Sequence, residues 1–254
     1  LTSELPFPRN FGVGYFVLFI SLTIGTALFF PFRVKTNEMG LRNRSLKDFI
    51  SETKTIIVGH RNFQKYLLSR IFFAAYLPGM GLYAVYTQAE FKFDISEAGI
   101  FTILNVLASG TTSYLVGKMG DQMGHKSGMM VSYIAHFLAV ILAIYAQNMF
   151  WVYAIFIAIG AGQGAFMPSA MNLIYDFAEN RDAKTYMALI DSFLAPFIFI
   201  FIVGIGALIK SGDYPSALYV LGISQFIGII ILKIFVRDPK KPGDALFHLE
   251  GFSS

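Results

Sequence analysis

Gly117-Lys118-Met119-Gly120-Asp121-Gln122-Met123-Gly124-His125-Lys126 is a short charged stretch set between two long apolar runs. Its residues suit a tight turn between two membrane helices at a polar surface. Glycine lets backbones approach and reverse because it carries no Cβ. Asp121 is placed to cap a helix N-terminus or to pair with a base, and Lys126 to face an anionic leaflet. Any inter-helix loop can collect Gly, Asp and Lys, so the stretch takes its meaning from what flanks it.

What flanks it is almost entirely apolar. Charged residues are 14% of the chain, against roughly 25% in soluble domains, and apolar residues are 55%. Seven runs are long enough to cross about 30 Å of hydrocarbon as helices: Phe11–Phe32, Tyr66–Tyr86, Gly99–Val116, Met129–Ala146, Phe150–Ile174, Tyr186–Ile209 and Ala217–Val236. They are apolar on every face, without the alternation of a β-barrel strand. The fold class expected is therefore all-α, a polytopic transmembrane helical bundle with the lipid bilayer as its first partner. Phe11–Phe32 exceeds a signal-peptide core and no small-residue cleavage site follows it, so it reads as a true span. The chain, beginning at Leu1, is expected to continue upstream.

Orientation follows from the bases. Arg33, Lys35, Arg42, Arg44, Lys47, Lys54, Arg61 and Lys65 lie between the first two runs. Lys92 stands alone in the next loop, Lys118 and Lys126 follow, then none, then Arg181 and Lys184, then Lys210, and Arg237, Lys240 and Lys241 end the series. Rich and poor loops alternate, which puts the N-terminus outside and the C-terminus in the cytoplasm. The same clustering accounts for the net charge of +4 without nucleic acid. In the basic segment, Ser45 and Asp48 resemble a capping pair, and Leu46, Phe49, Ile50, Thr53, Ile56 and Ile57 recur at helical spacing. An amphipathic helix along the inner surface is expected there.

The opening stretch resembles the signature loop G-x-x-x-D-[RK]-x-G-[RK]-[RK] of the major facilitator superfamily, with Gly117, Asp121, Gly124 and Lys126 in register. Gln122 and His125 depart from it where the family usually carries bases. The basic linker, the ending Arg237-Asp238-Pro239-Lys240-Lys241 and the turn from Asp176 to Lys184 with Glu179-Asn180-Arg181 add to the resemblance. It implies that residues 1–32 are the last helix of a first half and residues 33–65 a cytoplasmic linker. Residues 66–236 would then be the six-helix second half, and residues 237–254 a cytoplasmic tail. Two inverted three-helix repeats would make up that second half. The function implied is secondary active transport of a small solute by alternating access in a plasma or bacterial inner membrane. Protons or another ion would be the coupling partner. On that reading Gly117, Asp121 and Gly124 form a cytoplasmic latch against a first half mostly absent from these 254 residues.

Charge inside a membrane is costly and points to function. Arg70 lies four residues into its run, about 6 Å deep at about 1.5 Å per residue, where its stem can snorkel. Asp191 is too short to snorkel as far; it can pair with Arg70, bind solute or carry a proton. The resemblance assigns Tyr66–Tyr86 and Phe150–Ile174 to the solute pathway, flanked by Gly99–Val116 and Tyr186–Ile209. Tyr76, Tyr83, Asn105, Gln163 and Asn172 then join Arg70 and Asp191 as candidate contacts, each also able to make an ordinary interhelical hydrogen bond. His136 would sit on a peripheral helix and reads as structural. Pro78, Pro168 and Pro196 remove a backbone donor and are expected to kink or soften three of these four helices.

Other chemistries find no foothold. The chain has no cysteine, and His60, His125, His136 and His248 show no ligand spacing, so neither a metal nor a cofactor is expected. Gly160-Ala161-Gly162-Gln163-Gly164 is not a nucleotide loop: it lacks the G-x-G-x-x-G spacing and lies inside a membrane run. Gly160 and Gly164 make a small-xxx-small surface for close helix contact instead. No enzyme activity is expected. A seven-helix receptor shares the topology, though Lys233 lies near the cytoplasmic end of the last run rather than at midplane for a retinal Schiff base. A transporter-like protein that senses or scaffolds without moving solute is the remaining alternative.

Overall fold

The computed structural model describes residues 9–29, 55–93, 95–179 and 183–239, and the chain divides into two units, Leu1–Leu46 and Lys47–Ser254. Every secondary-structure element among the described residues is helical. In the first unit α1 runs Arg9–Phe29. Ser21, Thr23 and Thr26 donate to the carbonyls four residues earlier at 2.9, 2.8 and 2.8 Å, so these three hydroxyls are satisfied within the helix.

The second unit holds α2 (Arg61–Phe73), α3 (Tyr76–Phe91), α4 (Ile95–Met123), α5 (His125–Ile144), α6 (Met149–Ala178), α7 (Ala183–Ser211) and α8 (Tyr214–Ile230), with α8 ending in a π-helical turn at Ile231–Phe235. Six stretches here are long and apolar enough to cross a membrane: α2 with α3, then α4, α5, α6, α7, and α8 with its π turn. Each overlaps the corresponding apolar run of the sequence and begins shortly before it. Seven crossings were expected. The first falls on α1, a helix of 21 residues, and the described residues of the second unit supply the other six. The capping pair Ser45 and Asp48 lies outside the described residues; residues 55–59 are helical, and α2 begins at Arg61, ahead of the Tyr66 at which the second half was expected to start.

The ends of these helices follow from local chemistry. Asn148 caps α6 by accepting from the Phe150 amide at 3.1 Å, and Asp213 caps α8 by accepting from Ser216 at 3.2 Å. Between α2 and α3 the helix is interrupted at Ala74–Ala75. Pro78 accounts for the break: it offers no amide to the Ala74 carbonyl, and its ring crowds that same carbonyl. Leu77 instead bonds Ala74 O at 3.2 Å. Through Pro168 and Pro196, α6 and α7 run without a break.

Packing centres on α6, which lies along α4 on one side and α5 on the other. Glycine makes this approach possible. A Cβ at Gly160 would stand 2.2 Å from the Asn105 carbonyl oxygen, and one at Gly164 would stand 2.0 Å from that of Ser109. Gly162 meets the His136 ring in the same way on the α5 side. The small-xxx-small surface thus docks backbone on backbone, where close van der Waals contact rather than water exclusion drives association. Helix α8 then packs on α5 and α2, and α7 on α3. Two buried clusters result. One gathers Phe63, Tyr66, Phe73, Tyr133, Phe177 and Tyr186, and the other Leu82, Tyr83, Val140, Ile155, Leu218 and Leu221.

Candidate solute pathway

Arg70 is the last-turn base of α2 and is half-buried between aromatic rings. Its guanidinium carbon lies 4.6 Å from the Phe166 ring centre and 6.0 Å from that of Tyr66. Such a cation–π contact is worth up to about 2 kcal/mol once water is excluded. Of its donors, Nη1 reaches the Tyr66 hydroxyl at a long 3.4 Å. Tyr76, just past the helix break, stacks on Phe73 at 4.7 Å and meets His136 edge-on at 4.7 Å. Arg70, Tyr76 and Asp191 line one cavity of about 500 Å³, walled by Leu77, Phe166, Leu194 and Ile198. Asp191 is exposed there, and no ion pair joins it to Arg70 among the described residues. The pairing weighed for these two from sequence is absent; they share a space instead.

A second cavity of about 780 Å³ opens between α3, α4 and α6, and Asn105 and Gln163 line it with Gln88, Thr102 and Met80. Asn105 donates to the Phe156 carbonyl at 3.3 Å and Gln163 to the Met80 sulfur at 2.7 Å. Among the described residues its lining carries no formal charge. Near its rim the Tyr153 hydroxyl donates to Glu97 at 2.8 Å and ties α6 to α4. Tyr83 lies apart from both cavities, 1% exposed within the second core cluster, its hydroxyl without a partner among the described residues. Asn172 is on an exposed face of α6.

Sequence reasoning passed over several residues here. Phe166 and Tyr66 hold the guanidinium, but nothing in sequence separates them from the many other aromatic side chains. His136 was read as structural on a peripheral helix. It is 1% exposed, Nδ1 lies 2.9 Å from the Ser132 carbonyl, Nε2 has no partner among the described residues, and the ring abuts Tyr76. Gln225 is fully buried in α8 with neither amide atom hydrogen-bonded among the described residues.

The signature stretch is more helical than its composition suggests. Gly117 and Asp121 belong to α4, which continues to Met123, and the turn narrows to Gly124 at φ +88°. Asp121 is exposed and caps nothing: the N-cap of α5 is Gly124 itself, without a side-chain bond. A carboxylate does stand at that helix start, but it belongs to Asp238, whose Oδ2 would be 2.2 Å from a Cβ on Gly124. Lys126 does not simply face lipid. Its ammonium donates to the carbonyls of Lys233 at 3.2 Å and Val236 at 2.5 Å, closing the end of the π turn. Asn62 grips the same strand of chain, donating to the Arg237 carbonyl at 2.7 Å and accepting from its amide at 2.8 Å. His125, which departs from the pattern, is buried with Nε2 4.0 Å from Asp176 Oδ2. Of the acidic-basic turn after α6, Asn180 and Arg181 lie outside the described residues.

A family model described as the Major Facilitator Superfamily matches residues 66–251. The chain belongs to the major facilitator superfamily. It is a multi-pass membrane protein of a family of transporters, and the helices α2 to α8 fall within or overlap the matched residues. Membership sets aside the seven-helix receptor. No curated protein matches the chain. The superfamily assignment fixes neither substrate nor coupling, for which only the site chemistry speaks.

Proposed function

We propose that this chain is part of a carrier that performs secondary active transport of a small solute by alternating access. The observation that carries the reading is the sharing of one cavity by Arg70, Tyr76 and Asp191, two opposite charges without an ion pair in an otherwise apolar wall. A structural ion pair would have closed on itself; charges held open in a membrane protein are expensive unless something enters between them. The larger neutral cavity bearing Asn105 and Gln163 extends the pathway along α3, α4 and α6. Tyr83 and Asn172 belong to the same proposed set, Tyr83 as a buried hydroxyl that a helix movement would expose.

In this reading residues 33–65 are a cytoplasmic linker, the N-terminus is outside, and residues 1–32 are the last helix of a first half. Asp191 is the group that contacts the solute or through which a proton or another ion couples. Gly117, Asp121 and Gly124 latch the cytoplasmic side, and the broken helix at Pro78, with Pro168 and Pro196, gives the bundle its points of bending. The 254 residues alone are expected not to accumulate solute. The test is uptake of a solute panel into proteoliposomes under an imposed proton gradient. It compares the full coding product with this chain and with Asp191→Asn. Gradient-driven uptake by the full product, lost in the variant, supports the reading. Absence of any flux from a folded full product rejects it in favour of a sensing or scaffolding role.

A further inference from the structure

We infer that the cargo of the Arg70–Asp191 cavity is a small zwitterion with an apolar body, of the size of a hydrophobic α-amino acid or dipeptide. This rests on the transport reading above. Arg70 presents a guanidinium whose flat face is taken by Phe166 at 4.6 Å, so its donor edge is what remains to bind. Its hydrogen bond to Tyr66, at 3.4 Å, engages one donor weakly. A planar, forked donor of this kind matches a carboxylate, and a bidentate pair would satisfy it. Asp191 reaches the same cavity from α7 and is exposed, an acceptor-only group suited to an ammonium.

The two charges fix the class of ligand by exclusion. A simple anion would leave Asp191 facing it across the cavity, and a simple cation would face Arg70. A neutral sugar can hydrogen-bond to both groups but leaves both charges uncompensated. Only a molecule carrying both signs neutralises both ends at once, and no ion pair between the two side chains competes with it. The same lining includes Leu77, Leu194, Ile198, Phe166 and Tyr76, which suits a branched or aromatic side chain. The volume, about 500 Å³, holds such a molecule with room for waters.

The experiment is calorimetric binding to the purified full-length protein in nanodiscs. The probes are L-leucine, L-leucyl-L-leucine, 4-methylpentanoate and 3-methylbutylamine. The first two carry both charges at different separations, and the last two carry one each on a similar body. At least one zwitterion is expected to bind on the order of tenfold more tightly than either single-charge analogue. Arg70→Gln should bring that zwitterion down to the level of the amine, and Asp191→Asn should bring it down to that of the carboxylate. The wild-type comparison needs no variant to fold. Equal binding of zwitterions and single-charge analogues overturns the inference, as do variants that weaken all four probes equally. Proteoliposome uptake is read on the same preparation: saturable flux of a non-zwitterionic solute without leucine or dipeptide binding overturns the inference and leaves the transport reading standing.

Discussion

At the scale of single residues, glycine and arginine carry most of what can be tested. Gly164 and Gly204 lie in long apolar helices and look alike in sequence. The structure separates them. A Cβ at Gly164 would press on the Ser109 carbonyl at 2.0 Å, whereas one at Gly204 would meet nothing within 4 Å. Gly164→Ala is therefore expected to destabilise by about 1–3 kcal/mol, the usual cost of forcing packed backbones apart. Gly204→Ala should be neutral or stabilising by up to about 1 kcal/mol through helix propensity. Thermal unfolding in detergent micelles, followed by circular dichroism, compares the two directly. Equal melting shifts would mean that α4 and α6 do not approach as closely as described. Phe166→Ala removes the ring beneath Arg70 and should cost about 1–2 kcal/mol in the same assay.

Elements hold the next layer of consequences. The carboxyl end of α8 is fastened by side chains far away in sequence, Lys126 on the carbonyls of Lys233 and Val236 and Asn62 on Arg237. Last-turn carbonyls have no partner within their own helix, so a lysine ammonium there supplies both hydrogen bonds and favourable charge. Lys126→Met should raise amide hydrogen exchange across residues 231–238 with little change elsewhere in α5. An exchange pattern that stays flat there would show the fastening to be dispensable. Pro78 is the second case. Replacing it with alanine returns an amide that can reach the Ala74 carbonyl, so exchange at residues 74–78 should slow as the helix becomes continuous from Arg61 to Phe91. On the transport reading, uptake by the full product should fall severalfold, because the bend is what lets this helix move. A continuous helix with unchanged uptake would separate the break from the function.

At the largest scale, the packing within the second unit leaves α4 and α7 largely uncovered while α6 sits in the middle. Apolar residues on those outer faces need lipid or another apolar surface. Ile200, 63% exposed near the middle of α7, is such a position. A charge there faces hydrocarbon without a partner, so Ile200→Lys should cost about 3 kcal/mol of membrane insertion. Glycosylation mapping of the inserted fraction reads this out. Insertion as efficient as wild type would mean that the α7 face contacts water.

What the sequence determined alone is the all-α membrane architecture and the six crossings of the second unit. Those depend on local quantities: run length, hydropathy and the residues that turn or cap a helix. The family resemblance of Gly117, Asp121, Gly124 and Lys126 was equally legible, because a motif is a spacing. Gly160 and Gly164 could be read as a contact surface from their small-xxx-small interval. Tertiary structure decided the rest. The signature stretch shrank to a turn at Gly124, since the helical hydrogen-bond ladder carries α4 on through Gly117 and Asp121 to Met123. Arg70 and Asp191 came to share a cavity without pairing, Tyr83 was withdrawn into a core, and Phe166 became the floor of the guanidinium site. Each of these depends on how helices distant in sequence rotate and pack, and in a chain rich in aromatic and aliphatic side chains many rotations bury similar surface. The glycines and the few polar groups select among them only when the partner helix is in place.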